Sequence, residues 1–170
     1  MKRFLASLIC ALSIAPHAGA QDLTALARVD PVASKIHDGW WGRTEISLHL
    51  SQGVPFRVFT LDDPTRLVID FKEVDFRGVK AVDILPEAGR IEAVRFAAIQ
   101  PGWSRLVANL TEPMLPQEIG MPVDPNTGKA ELDIVLKTTS LEAFAAVSGH
   151  PSGTIWGPAV GDRADSVRKG

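Results

Sequence analysis

The feature that most constrains this chain is a two-residue period in its apolar residues. Thr44-Glu45-Ile46-Ser47-Leu48-His49-Leu50 alternates without a break, which puts Ile46, Leu48 and Leu50 on one face of an extended strand. Phe56 to Leu61 and Arg66 to Phe71 are β-branched and aromatic runs. Between them Asp62-Asp63-Pro64-Thr65 has turn chemistry, with carboxylates at its start and a proline fixing φ. Ile91 to Ile99, Leu106 to Leu110, Leu115 to Met121 and Glu131 to Lys137 continue the pattern, and Leu132, Ile134 and Leu136 share a face. Proline and glycine punctuate the junctions, and no interior stretch reads as a helix of ordinary length. The expected fold is all-β, a small sandwich of two sheets.

Shifting the chain by 62 residues superimposes several landmarks. Trp41-x-Arg43 falls on Trp103-x-Arg105, Asp62 on Asp124 and Thr65 on Thr127, while Gly39 lies one position off Gly102. Two readings stay open: a duplication, or a coincidence of short β motifs. A duplication predicts that each half forms one sheet and that the two sheets stack with pseudo-twofold symmetry.

Residues 1–20 read as a secretory signal peptide. Lys2 and Arg3 are its positive start, Phe4 to Ala15 its apolar stretch, and Ala18-Gly19-Ala20 its small-residue cleavage pattern. Twelve apolar residues in a helix reach roughly 18 Å, short of the roughly 30 Å a bilayer core needs, which disfavours the alternative of an uncleaved anchor. Cleavage after Ala20 takes away the single cysteine, Cys10, and moves the formal net charge from −2 to −4. The exported chain then has no disulfide, thiolate metal site or cysteine nucleophile. Its slightly acidic balance argues against nucleic acid as a partner. With 45% hydrophobic and 22% charged residues it has material for a core, and no second apolar run suggests a membrane span.

Catalytic signatures are missing from the sequence. His37, His49 and His150 have no His-x-x-Glu-His or His-Glu-x-x-His spacing, and there is no Gly-x-Ser-x-Gly elbow or phosphate-binding glycine loop. Asp62 and Asp63 are adjacent acids that serve turn geometry. Nothing in the sequence places Glu45 and Asp70 as a glycosidase pair.

Residues 44–59 followed by Asp63-Pro64-x-Arg66-Leu67-Val68-Ile69-Asp70-Phe71 resemble the AMIN domain. This is the non-catalytic module that precedes the zinc domain of periplasmic N-acetylmuramoyl-L-alanine amidases and also occurs in type IV pilus secretins. The resemblance covers roughly Leu23 to Lys137. It implies a β domain, here residues 23–138, that binds peptidoglycan in the periplasm during cell-wall turnover and daughter-cell separation. Envelope or division-site proteins are further partners. The zinc belongs to a catalytic domain this sequence lacks, so the chain alone is expected to hold no cofactor and to read as a fragment, a truncated gene product or a stand-alone targeting module. The alternative is an interaction domain of a secretin or other envelope complex.

A peptidoglycan binder needs aromatic faces for sugar rings and cations for carboxylates. Trp40, Trp41, Arg43, Trp103 and Arg105 supply both at matching points of the two half-repeats, and Arg66 adds a carboxylate donor. For the tryptophans the competing reading is that they plug the ends of the core. For Arg66 and Asp70, which share a strand face with Val68 opposite Leu67, Ile69 and Phe71, it is an ordinary cross-strand ion-pair face. Beyond the β domain, residues 139–149 read as a short helix with Ser140 as N-cap, ended by Gly149. Leu141, Phe144, Ala145 and Val147 or Ser148 are placed on one face. Residues 150–170 have the composition of a flexible linker.

Overall fold

The computed structural model describes residues 26–85, 89–149 and 159–160. The expected signal peptide with Cys10, and most of the 150–170 tail with His150, lie outside the described residues.

Among the described residues, eleven strands and two short helices follow one another: β1 (Ala27–Asp38), β2 (Arg43–Leu50), β3 (Phe56–Leu61), β4 (Arg66–Lys72), β5 (Val74–Asp75), α1 (Ala81–Ile84), β6 (Ile91–Gln100), β7 (Trp103–Leu110), β8 (Met114–Gly120), β9 (Pro122–Val123), β10 (Ala130–Thr138), α2 (Leu141–Val147) and β11 (Ala159–Val160). A seven-stranded sheet has the order β11-β9-β10-β2-β1-β5, with β8 also paired to β10. The second sheet is four-stranded, β3-β4-β7-β6. The expected all-β, two-sheet architecture is what forms.

The period-2 pattern decides which faces meet. Ile46, Leu48 and Leu50 from β2 and Leu132, Ile134 and Leu136 from β10 join one buried cluster with Leu67, Ile69 and Phe71 of β4 and Leu106 and Ala108 of β7. Each sheet alone would leave its apolar face in water, and stacking buries both.

The halves do not each build one sheet, as a duplication had suggested. Residues 27–72 place the β1–β2 hairpin in the larger sheet and β3–β4 in the smaller one, whereas residues 91–138 place β6–β7 in the smaller sheet and β8 with β10 in the larger. The second half thus repeats the strand path of the first with the sheets exchanged: β1-β2-β10-β8 corresponds to β6-β7-β4-β3. The hairpin turns fix the register of this correspondence. Gly42 (φ 72°) and Gly102 (φ 75°) hold the same left-handed corner, so equivalent residues lie 60 apart rather than 62. Trp41 is therefore equivalent to Pro101, and the two Trp-x-Arg phrases are out of structural register by two residues.

β1 carries no clean alternation because it bulges: Asp30 pairs His49 and Lys35 pairs Ser47, which leaves extra residues between. Asp30 Oδ1 closes the bulge by accepting the Val32 and Ala33 N–H groups. In α2 the Ser140 side chain accepts the Ala143 N–H, the expected N-cap. The helix ends at Ser148 rather than Gly149, and only Phe144 is buried, while Leu141 and Val147 point to solvent. One turn more than a helix nucleus leaves room for a single anchor, so the wider apolar face expected there does not form. Ala159–Val160, within the expected flexible tail, pairs in parallel with β9.

Candidate functional site

The outer face of the four-stranded sheet is where cations and aromatic rings converge. Cross-strand pairing lays its residues in rows. Phe59, Val68, Val107 and Arg95 form one row, and Arg57, Asp70, Arg105 and Ala97 the next. Lys72, Trp103 and Gln100 follow on one side, with Leu61, Arg66, Asn109 and Ala93 on the other. Rows stand about 7 Å apart, two residues along a strand.

Asp70 is the pivot. Its side chain has 0% exposure although it faces away from the sandwich core. Arg57 donates to Oδ2 from Nε at 2.8 Å, and Arg105 donates to Oδ1 from Nε at 2.5 Å and to Oδ2 from a terminal nitrogen at 3.0 Å. Burial pushes the carboxyl up, but the hydrogen bonds from Arg105 and then Arg57 outweigh it and hold Asp70 below the ordinary aspartate range. The same bonds raise Arg105. The guanidiniums also lie over rings, Arg57 over Trp103 at 5.1 Å and Arg105 over Phe59 at 5.6 Å. A diagonal Trp103–Arg57–Asp70–Arg105–Phe59 ladder results, with Val68 sealed among these side chains and outside the core cluster.

Each arginine spends two nitrogens on Asp70 and keeps a third for other partners. Exposed Lys72 and Arg95 flank the ladder, and Arg66, half-buried, donates from Nε to Pro64 O at 3.1 Å. Five cations thus share these rows with one carboxylate, which is already paired. Such a face is suited to receiving anionic groups together with apolar ring surfaces.

The six residues singled out from sequence fall into two groups. Arg66, Trp103 and Arg105 lie on this face. Trp103 is half-buried against Arg57 and is not a core plug. Trp40, Trp41 and Arg43 belong to the β1–β2 turn. There Trp40 is 86% and Trp41 90% exposed, because both occupy the turn itself and the core-plug alternative needs a strand. Arg43 pairs with Glu45 at 3.4 Å. That turn sits beside Arg90, which donates to Arg43 O and whose own N–H bonds Asp38; Arg90 O in turn accepts the Thr111 N–H, just past the end of β7. Trp103 opens β7, so the two tryptophan sites lie toward opposite ends of that strand, about 20 Å of extended chain apart.

Arg57, Phe59 and Arg95 were missed. Their signal was available, since Arg57, Phe59 and Leu61 alternate against Phe56, Val58 and Thr60, but an apolar run hides which alternate face is wet. The expected ion-pair face around Asp70 is present, with Arg57 and Arg105 as its cations rather than Arg66.

The outer face of the larger sheet differs. Lys35, His37, Arg43, Glu45, Glu118 and Glu131 border a groove of about 440 Å³ with mixed charge. His37 stands 3.5 Å from Glu45 and His49 3.6 Å from Glu131. Among the described residues no three His, Cys, Asp or Glu side chains gather as a metal site. No described helix is long and apolar enough to cross a membrane.

Compared with known families, residues 36–143 match the model of the AMIN domain. No curated protein matches the chain.

Proposed function

The chain belongs to the AMIN family, and on that premise we propose that it is a peptidoglycan-binding module, the targeting part of an exported N-acetylmuramoyl-L-alanine amidase that acts in the periplasm on cell-wall turnover and daughter-cell separation. In such an amidase, hydrolysis and its zinc belong to a separate catalytic domain. The observation that carries the reading is the ladder on the four-stranded sheet. Peptidoglycan presents stem-peptide carboxylates beside sugar rings, and Arg57, Arg105, Trp103 and Phe59 offer bidentate donors beside aromatic faces. Asp70 holds the two guanidiniums in place before any ligand arrives, which lowers the ordering cost of binding.

A second reading, an interaction domain of a secretin or another envelope assembly, draws on the Trp40–Trp41 turn. Two exposed tryptophans side by side are the residue type most often found to anchor protein interfaces. One experiment separates the two. The purified protein is sedimented with peptidoglycan sacculi beside an Arg66→Ala/Lys72→Ala/Arg95→Ala variant and a Trp40→Ala/Trp41→Ala variant. Wall binding through the sheet predicts co-sedimentation that the first variant loses and the second keeps. Absence of co-sedimentation by the wild type at low salt contradicts wall binding and leaves the protein-partner reading.

A further inference from the structure

Near Trp103 a cleft of about 450 Å³ opens that the arginine ladder does not use. Its lining is mainly apolar. The Phe76 and Phe96 rings stack with centroids 4.7 Å apart, and Leu26, Ala98 and Trp103 border the same space. Ser104 also lines it, 6% exposed, and its Oγ is a buried side-chain oxygen without a hydrogen-bond partner among the described residues. Buried hydroxyls nearly always find partners, because an unmet one costs stability that an alanine would not. An apolar, ring-walled cleft with one unmet hydroxyl is complementary to a small group that is mostly hydrocarbon and carries one amide.

We infer that this cleft is an acetamido subsite, taking the N-acetyl group of an N-acetylhexosamine. The methyl lies against Phe76 and Phe96, the sugar ring against Trp103, and the amide meets the Ser104 hydroxyl. The inference rests on the wall-binding reading and adds where the sugar sits. It also joins the cleft to the ladder. In N-acetylmuramic acid the acetamido group and the peptide-bearing lactyl ether leave neighbouring ring carbons. Trp103 borders the cleft and faces the arginine rows, and Arg105 lies two residues on along the same face, about 7 Å away. Because Ser104 and Phe96 face away from the arginine rows, the stem peptide of a sugar held in the cleft passes round the start of β7, past Trp103, to reach Arg57 and Arg105.

The test is a titration of the purified protein with di-N-acetylchitobiose, followed by tryptophan fluorescence and amide shifts, with cellobiose as the ring-matched control lacking acetamido groups. Binding of the acetylated sugar alone is expected, with shifts at Phe96, Trp103 and Ser104. Ser104→Ala weakens it about fivefold, the worth of one hydrogen bond, without lowering Tm. Ala98→Phe fills the cleft from an exposed position and abolishes binding. Equal binding of cellobiose, no binding of either sugar, or unchanged affinity in both variants overturns the inference. If sacculi still co-sediment in that event, the wall-binding reading stands and the acetamido subsite alone falls. If sacculi fail to co-sediment, wall binding itself falls.

Discussion

Asp70 shows how one side chain sets up the binding face. Its carboxylate satisfies two guanidiniums and is stabilised by them, and removing the charge leaves two half-buried cations without a partner. Asp70→Asn is therefore expected to cost about 3 kcal/mol in urea unfolding at neutral pH. The sign of the pH dependence follows from the lowered folded value. The contribution is present above the ordinary aspartate value of 3.8 and is lost as pH falls through the depressed one. The gap between wild type and Asp70→Asn should accordingly narrow below about pH 4, read by urea midpoints across a pH series. A gap that widens on acidification contradicts the ladder. Sequence placed Arg66, Val68 and Asp70 on one face correctly, because that depends only on the alternation within β4. It did not give Asp70 its partners, because Arg57 and Arg105 reach it through the register of β4 with β3 and β7, which no single strand encodes.

Elements differ in how local their causes are. The turns at Gly42 and Gly102 have the same backbone corner but different surroundings. A Cβ on Gly42 meets Thr138 Oγ1 at 2.5 Å, whereas one on Gly102 meets nothing within 4 Å. Gly102→Ala should lose about 1 kcal/mol from its positive φ alone, and Gly42→Ala clearly more, compared by chemical denaturation. Equal losses contradict the close approach of β10 to this turn. In α2 the expectation is similarly uneven. Phe144→Ala should destabilise by about 3–4 kcal/mol through the cavity it leaves, and Leu141→Ala by less than about 0.5 kcal/mol. The N-cap and the helix were legible because capping acts within four residues. Which apolar residue anchors the helix was not, because that is set by contact with β3 across the chain. β1 was illegible for a related reason: its bulge breaks the period on which strand reading depends, and Val32 at its crest is 95% exposed.

At the scale of the whole molecule the two sheets share a core and turn unlike faces to solvent. Apolar alternation encodes the shared core, so the sandwich could be read from sequence. The exchange of sheets between halves could not, because tandem halves that each form a sheet have the same strand pattern. The same exchange leaves Trp41 and Trp103 toward opposite ends of β7. Wall binding is therefore proposed for one face only, and that face is cationic. Binding to sacculi should weaken as salt rises from about 50 mM to about 500 mM, where the Debye length falls from roughly 14 Å to roughly 4 Å. Salt-independent retention contradicts a role for the arginines and Lys72.

The most direct measurement is an amide chemical-shift map of the protein titrated with a muropeptide that carries both sugar and stem peptide. Wall binding through the ladder predicts perturbations centred on β3, β4 and β7, at Arg57, Asp70, Trp103 and Arg105. Perturbations confined to the Trp40–Trp41 turn or to the outer face of the seven-stranded sheet, or none at saturating ligand, contradict it.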